Sequence, residues 1–132
     1  NTPPMKLGYT IIYVPDVEAT LLFYENAFGL KRKFVHESNQ YGELDTGATV
    51  LAFCSEILSE SNGVQWVSNR PDALPAGIEI ALVTKHVHEA YAQALANNAM
   101  SVSEPTTRPW GQEVGYVRDL NGVLVELCSP IG

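Results

Sequence analysis

Residues 51–55 read Leu51-Ala52-Phe53-Cys54-Ser55, and residues 125–129 read Val125-Glu126-Leu127-Cys128-Ser129. Each stretch is a short, mostly apolar run that ends in Cys-Ser, as expected for a buried strand. Each stretch is the last element of the same predicted series: one strand, one helix and three strands. An internal duplication of a βαβββ unit is the economical explanation.

The first unit begins at residues 7–14, which are rich in the β-branched and aromatic side chains that strands favour. Asp16 then offers its carboxylate to the first N–H groups of a helix, and Gly29 supplies the end of that helix. Between these two residues, apolar side chains recur at helical spacing: Val17, Leu21, Tyr24 and Phe28. Turn residues separate three further predicted strands, 31–37, 41–45 and 49–54.

The second unit repeats this order after a polar connection. A strand is predicted over 78–84, and an amphipathic helix follows, weakly capped by His86, with Val87, Ala90, Tyr91, Ala94 and Leu95 on one face. Three strands are predicted over 101–103, 113–118 and 123–128. Asn121-Gly122 indicates a hairpin between the last two, because both residues tolerate a positive φ.

Each unit therefore forms a four-stranded sheet with one helix on its outer face. The predicted fold class is α+β: two βαβββ repeats in a cupped half-barrel of eight strands with two outer helices. Met5 could be the natural start, so we predict one domain over 5–132. Unit one covers about 5–55, a linker about 56–76, and unit two about 77–132.

Composition excludes several classes of function. The chain has 132 residues, and its 8 basic against 15 acidic side chains give a formal charge of -7, which disfavours nucleic acid and anionic membranes as partners. No apolar run is long enough to span a bilayer, and no secretory signal pattern is present, so we expect a cytoplasmic protein. Cys54 and Cys128 are predicted to be buried thiols.

Several motifs resemble one known superfamily. They are Tyr13-Val14-Pro15-Asp16-Val17, Phe23-Tyr24, Phe28-Gly29-Leu30, Arg108-Pro109-Trp110-Gly111 and Arg118-Asp119-Leu120-Asn121-Gly122 with Val125-Glu126-Leu127. On these residues the chain is identified as a member of the vicinal oxygen chelate superfamily, the glyoxalase, bleomycin resistance protein and dioxygenase group. The resemblance implies the half-barrel fold and a homodimer, because relatives complete their sites across two chains.

The resemblance also implies a central site to which each unit gives one residue from its first strand and one from its last. These positions are Tyr9 and Ala52 in unit one, and Glu79 and Glu126 in unit two. Metal-dependent members fill them with His, Gln or Glu. Ala52 has no donor atom, and Tyr9 would have to lose a phenolic proton of pKa about 10. We therefore predict no cofactor; one divalent ion held by Tyr9, Glu79 and Glu126 is the alternative.

Glu79 and Glu126 are expected to face one cavity and to raise each other's proton affinity, which favours a cationic or donor-rich ligand. The competing interpretation of Glu126 is a structural carboxylate that pairs with Tyr9 or an arginine. Trp110 is either an aromatic plate for the ligand or a loop anchor packed on the core.

His36 and Glu43, on adjacent predicted strands, are expected either to pair at the cavity or to form an ordinary surface pair. The linker is long enough to cover a ligand, with Trp66 and Tyr41 as candidate contacts.

Sequence analysis therefore predicts a metal-free small-molecule binder that sequesters a cationic or aromatic compound. The alternative is an enzyme: a metal-dependent lyase, isomerase or related enzyme of the superfamily with an atypical site, or a metal-free epimerase-like variant. An interaction module with an occluded cavity is a third hypothesis. No catalytic residue is assigned, because members of this fold carry out unrelated chemistries.

Overall fold

A computed structural model describes residues 2–131 of the chain. Its helices and strands follow one another in the predicted order. They are β1 (Tyr9–Val14), α1 (Val17–Phe28), β2 (Lys31–Val35), β3 (Tyr41–Asp45), β4 (Val50–Ser55), α2 (Glu56–Glu60), β5 (Glu79–Val83), α3 (Val87–Ala96), β6 (Met100–Thr107), β7 (Glu113–Arg118) and β8 (Leu124–Cys128).

The strands form two four-stranded sheets with the same topology. Their orders are β1-β4-β3-β2 and β5-β8-β7-β6. In each sheet the first strand runs parallel to the last, and the other neighbours are antiparallel. The predicted α+β fold of two βαβββ units is therefore confirmed. Among residues 2–131, no helix is both long and apolar enough to cross a bilayer.

The ends of α1 are as the sequence predicts. The Asp16 carboxylate accepts a hydrogen bond from the Ala19 N–H, and Gly29 has φ 69°, in the left-handed region. His86 at the start of α3 makes no capping hydrogen bond with its side chain, also as predicted.

Two predictions about the elements are wrong. Residues 2–131 form three helices where two were predicted, because the Ser55 hydroxyl accepts a hydrogen bond from the Leu58 N–H and starts the extra helix, α2, over Glu56–Glu60. Strand β6 is longer than the predicted 101–103, since it continues past Pro105 to Thr107. Proline is tolerated there because β6 is an edge strand, and its pairing with β7 shifts register on both sides of Ser103.

The turn between β7 and β8 is a hairpin, but not of the expected form. Gly122 has φ 90°, whereas Asn121 does not have a positive φ. The Gly122 N–H donates to the Asp119 carbonyl, and the Asp119 side chain accepts from the N–H groups of Asn121 and Val123. The Asp119 carboxylate therefore replaces a second positive φ as the feature that shapes the turn.

One apolar core joins both units. It contains α1, α3 and the alternate strand residues that point toward these helices, among them Leu51, Phe53, Val125 and Leu127. Neither α1 nor α3 packs on the other side of its sheet, since both lie in the core. We call these surfaces the open face of unit one and the open face of unit two.

Candidate functional site

Strand alternation decides which side chains reach the open faces. Leu51 and Phe53 pack in the core, so Ala52 between them lies on the open face of unit one. Val125 and Leu127 likewise place Glu126 on the open face of unit two. In the first strands, Tyr9 and Glu79 alternate with the core-facing Ile12 and Ile80, so they also lie on the open faces.

The open face of unit two carries two carboxylates with little to neutralise them. Burial raises the pKa of Glu79, and the neighbouring charge of Glu126 raises it further. Tyr116, directly opposite Glu126 on β7, donates a hydrogen bond of 2.9 Å from its hydroxyl to Glu126 Oε1. Among residues 2–131, no ion pair includes Glu79 or Glu126. Glu126 is thus paired with Tyr116, and not with Tyr9 or an arginine as the competing interpretation has it.

The same carboxylates act on two further groups. Burial, and then Glu126, raise the pKa of Tyr116 to about 12. The same causes in the same order raise the pKa of the buried Cys128 thiol to about 11, so this cysteine is an unreactive thiol at neutral pH. Negative potential therefore dominates this face.

The open face of unit one has its carboxylate on a different strand. Glu43 on β3 lies beside Ala52 on β4, and only 7% of Glu43 is exposed. The Tyr41 hydroxyl donates to Glu43 Oε2 at 2.8 Å, and Lys33 Nζ lies 3.9 Å from Glu43 Oε1. Glu43 is therefore already paired within its own unit.

The predicted pair of His36 and Glu43 does not form. Strand β2 ends at Val35, and the chain turns, so His36 Nδ1 lies 2.8 Å from the Ser38 hydroxyl. Tyr41 takes the position beside Glu43 that the sequence suggested for His36. Among the described residues, no histidine therefore bonds to Glu43.

Of the two predicted roles of Trp110, the loop anchor is wrong, and the aromatic plate for a ligand stays a prediction. The indole is 64% exposed, so it is not an anchor packed on the core, and its N–H donates to Gln112 Oε1 at 2.8 Å. The loop of Trp110 does lie near the open face of unit two, since the Arg108 charge lowers the pKa of Tyr116 against the larger effect of burial.

The linker contacts β1 at Tyr13, near the end of the strand. The Trp66 ring meets the Tyr13 ring edge-on at 5.2 Å between centroids, and Asn69 Nδ2 donates to the Tyr13 carbonyl. Arg70 makes a two-bonded ion pair with Glu56 at 2.6 and 2.8 Å. Tyr41, proposed as a linker contact, bonds instead to Glu43.

The four positions implied by the resemblance do not fit a metal centre within one chain. Ala52 is fully buried and has no donor atom, and Tyr9 lies on the other sheet from Glu79 and Glu126. Two carboxylates remain, whereas a divalent ion at an enzyme site usually takes three or more protein ligands. That the protein works without a metal stays a prediction.

Tyr116 is the site residue that the sequence analysis missed. It belongs to a predicted strand, 113–118, joined by a short hairpin to the strand of Glu126. Antiparallel pairing across such a turn brings Tyr116 opposite Glu126, so the signal was present in the hairpin register.

The raised pKa of Glu79 predicts how the stability of the protein depends on pH. The folded state binds more protons than the unfolded state between pH 4.5, the ordinary value, and the raised pKa, so the Glu79 contribution to stability falls as pH rises through that range. Glu126→Gln removes the like charge and is expected to weaken this dependence. We expect the variant to gain stability relative to the parent as pH rises, in urea unfolding from pH 4 to 7.

Glu60→Gln, on the exposed helix α2, is the matched control, and it should keep the parental profile. Asp119, whose pKa burial also raises, contributes equally to all three proteins and cancels in the comparison. Parallel pH profiles for the parent and Glu126→Gln would show that the two carboxylates do not interact.

Comparison with known proteins agrees with this geometry. A family model described as Glyoxalase/Bleomycin resistance protein/Dioxygenase superfamily matches residues 6–127. The uncharacterized protein YwbC of Bacillus subtilis (strain 168) is 28% identical over 127 residues, which are 92% of this chain and 94% of YwbC.

Solved structures share the fold. A glyoxalase-related enzyme from Fulvimarina pelagi superposes with a TM-score of 0.82 at 19% identity, over 96% of this chain and 89% of its own. The hypothetical protein SA1046 from S. aureus superposes with a TM-score of 0.80 at 18% identity, over 97% of this chain and 96% of its own. The duplicated βαβββ units and the family match lead to one conclusion: the chain belongs to the glyoxalase, bleomycin resistance protein and dioxygenase superfamily.

Proposed function

We propose that the protein is a metal-free binder that sequesters a cationic or aromatic small molecule on the open face of unit two. The observation that carries the proposal is the Glu79–Glu126 pair, which has no cationic partner among the described residues. A ligand cation would supply the missing positive charge. The exposed Trp110, on the loop beside Tyr116, offers a ring for an aromatic ligand to stack against.

The proposal includes a homodimer. The open faces expose large apolar side chains, among them Tyr9 at 58%, Ile11 at 45% and Val83 at 63%. Apolar surface of this kind is commonly covered by a partner, and a second copy would cover it in the way that members of the superfamily complete their sites. In such a dimer, Tyr9 and Ala52 of one chain and the carboxylates of the other would border one pocket.

Benzamidine tests the ligand class, because it is a planar aromatic cation, and its neutral analogue benzamide has nearly the same shape. We expect benzamidine to bind and benzamide to bind at least about tenfold more weakly, since a charge-assisted hydrogen bond is worth roughly 1.4 kcal/mol or more. Glu126→Gln should reduce benzamidine affinity by about the same factor. Isothermal titration calorimetry at pH 7.5 measures both effects.

Glu60→Gln is the control, because Glu60 lies on the exposed helix α2, which follows the last strand of unit one. Equal affinity for benzamidine and benzamide would refute the acidic pocket. Metal analysis of the purified protein, with nickel, zinc, manganese and iron(II) added in turn, tests the metal-dependent lyase or isomerase. The adjacent carboxylates favour that alternative, and one metal ion per chain that Glu79→Gln removes would establish it in place of our proposal.

Light scattering tests the dimer. We expect a mass twice that of the 14.4 kDa chain, and Ile11→Lys on the open face of unit one should shift the protein toward the mass of one chain. Ile57→Lys, at a 75% exposed position on α2, is the control and should leave the mass unchanged. A parent protein with the mass of one chain would contradict this part of the proposal.

A further inference from the structure

A slot of about 250 Å³ lies where the two units meet. It is lined by residues 10–13 of β1, by four residues of unit two and by three residues of the linker. Among these lining side chains none is charged, and only Thr10, Tyr13 and Asn69 carry polar atoms. The slot is therefore suited to an apolar group.

Strand alternation gives the slot a floor and a mouth. Ile12 of unit one and Ile80 of unit two pack against the core, so they form the floor. Ile11 is next to Ile12 in β1 and lies on the open face of unit one, and Leu124 alternates with the core residue Val125 and lies on the open face of unit two. The slot thus opens toward both open faces.

The slot is compatible with the proposed dimer. A partner on the open faces would cover Ile11 and Leu124 at the mouth, whereas Ile12 and Ile80 belong to the core of one chain. Such a dimer closes the mouth and leaves the floor in place. The slot then becomes an extension of the pocket that the dimer encloses.

The mouth of the slot lies beside the two carboxylates. Leu124 is paired with Glu79 in the register of β5 and β8, and Glu126 follows two residues later on the same face as Leu124. Neighbouring strands are about 4.8 Å apart, so the apolar lining begins next to the Glu79 side chain. A ligand that used both features would need a cationic head and an apolar tail.

We propose that the ligand is an amphiphilic cation, with its charged nitrogen at the Glu79–Glu126 pair and an aliphatic tail in the slot. This inference rests on the proposed function, because it assigns the head to the same carboxylates. Fatty acids have a similar tail, but the two carboxylates and the formal charge of -7 disfavour an anionic head.

The volume of the slot limits the length of the tail. A cavity of about 150 Å³ holds one benzene molecule, which has six carbon atoms. By that proportion, a slot of about 250 Å³ has room for about eight to ten carbon atoms. Each methylene that enters the slot should raise the affinity about threefold.

Primary amines from butylamine to dodecylamine, which are cations at pH 7.5, test the tail by isothermal titration calorimetry. We expect the affinity to rise about threefold for each methylene and to level off beyond about eight to ten carbon atoms. Octan-1-ol has the tail without the charge and should bind at least about tenfold more weakly than octylamine. Glu126→Gln should weaken octylamine binding by about the same factor.

Ile78→Ser tests the position of the tail. Ile78 lines the slot but is 70% exposed, so the variant is expected to fold. It should lower octylamine affinity at least about threefold and leave butylamine affinity unchanged, because butylamine has too short a tail to fill the slot. Val64→Ser, at a 60% exposed linker position outside the slot lining, is the matched control and should leave both affinities unchanged.

The outcomes separate the slot from the acidic site. Benzamidine binding together with equal affinities for butylamine and octylamine would leave the proposed function standing and overturn the tail. Equal affinities for octylamine and octan-1-ol, with no binding of benzamidine, would overturn both the proposed function and the cationic head. An equal loss of octylamine affinity in Ile78→Ser and Val64→Ser would show that the tail lies outside the slot.

Discussion

Asp119→Ala is expected to lower the free energy of unfolding by about 3–5 kcal/mol. Asp119 is fully buried, and its carboxylate accepts three hydrogen bonds: from the Tyr24 hydroxyl at 2.7 Å, and from the N–H groups of Asn121 and Val123 at 2.8 and 2.9 Å. Alanine would leave three buried donors without an acceptor, and each costs about 1–3 kcal/mol. Urea unfolding followed by circular dichroism measures the change.

Two variants bracket this expectation. Tyr24→Phe removes one of the three donors and should cost less, about 1–2 kcal/mol, because the backbone bonds of the turn remain. Asp72→Ala changes a carboxylate on the exposed part of the linker and should stay within about 0.5 kcal/mol of the parent. The role given to Asp119 would be wrong if its loss cost no more than the loss of Asp72.

This carboxylate also explains why the two units form one core. Tyr24 lies on α1 of unit one, and Asp119 lies in the β7–β8 turn of unit two. A second buried bond joins the same elements, since Asn121 Nδ2 donates to the Thr20 hydroxyl. Both contacts should therefore be lost together when the units separate. We expect Asp119→Ala to loosen the packing of α1 against unit two before it unfolds either sheet.

The elements that the sequence predicts well are those with local causes. Asp16 and Gly29 mark the ends of α1 through bonds and torsions within a few residues of each. The strands 41–45 and 113–118 were predicted at their observed bounds, because each is a run of strand formers between turn residues. The duplication itself follows from two stretches that end in Cys-Ser.

The errors have a different origin. The predicted strand 101–103 stops before Pro105, whereas β6 continues through it, and the position of β6 at the sheet edge makes this proline acceptable. No helix was predicted after the strand 49–54, although the Ser55 side chain caps one there. Tertiary position decided both cases, and a single sequence does not contain it.

The same difference between local and tertiary causes applies to the candidate site. Strand alternation was enough to place Glu126 on the open face of unit two, since this rule needs only neighbouring residues, and the family resemblance supplied the matching position of Ala52. The competition for Glu43 could not be predicted, because it depended on where β2 ends and on which side chain, His36 or Tyr41, lies on the same face. Because Tyr41 bonds to Glu43, His36 is not part of the predicted site. Tyr116, which bonds to Glu126, is an additional member of it.

Arg118→Ala is expected to release the linker. The Arg118 guanidinium donates to four carbonyls: Gly122 at 2.8 Å in its own turn, and Arg70, Pro71 and Ala73 of the linker at 3.3, 3.4 and 2.6 Å. Residues so distant in sequence are held together by one side chain, so its removal should expose the linker backbone. We expect a loss of about 2 kcal/mol in stability and thermolysin cleavage before Val67 of the linker about tenfold faster.

Arg118→Lys shows whether charge or shape holds the linker. Lysine keeps the positive charge, but its single ammonium group cannot reach four carbonyls as the planar guanidinium does. If the fork of bonds is what matters, Arg118→Lys should be cleaved nearly as fast as Arg118→Ala. Parental resistance to thermolysin in Arg118→Ala would instead mean that Asn69 and the Arg70–Glu56 ion pair hold the linker on their own. The linker would then be secured near its two ends, and Arg118 would serve only its own turn.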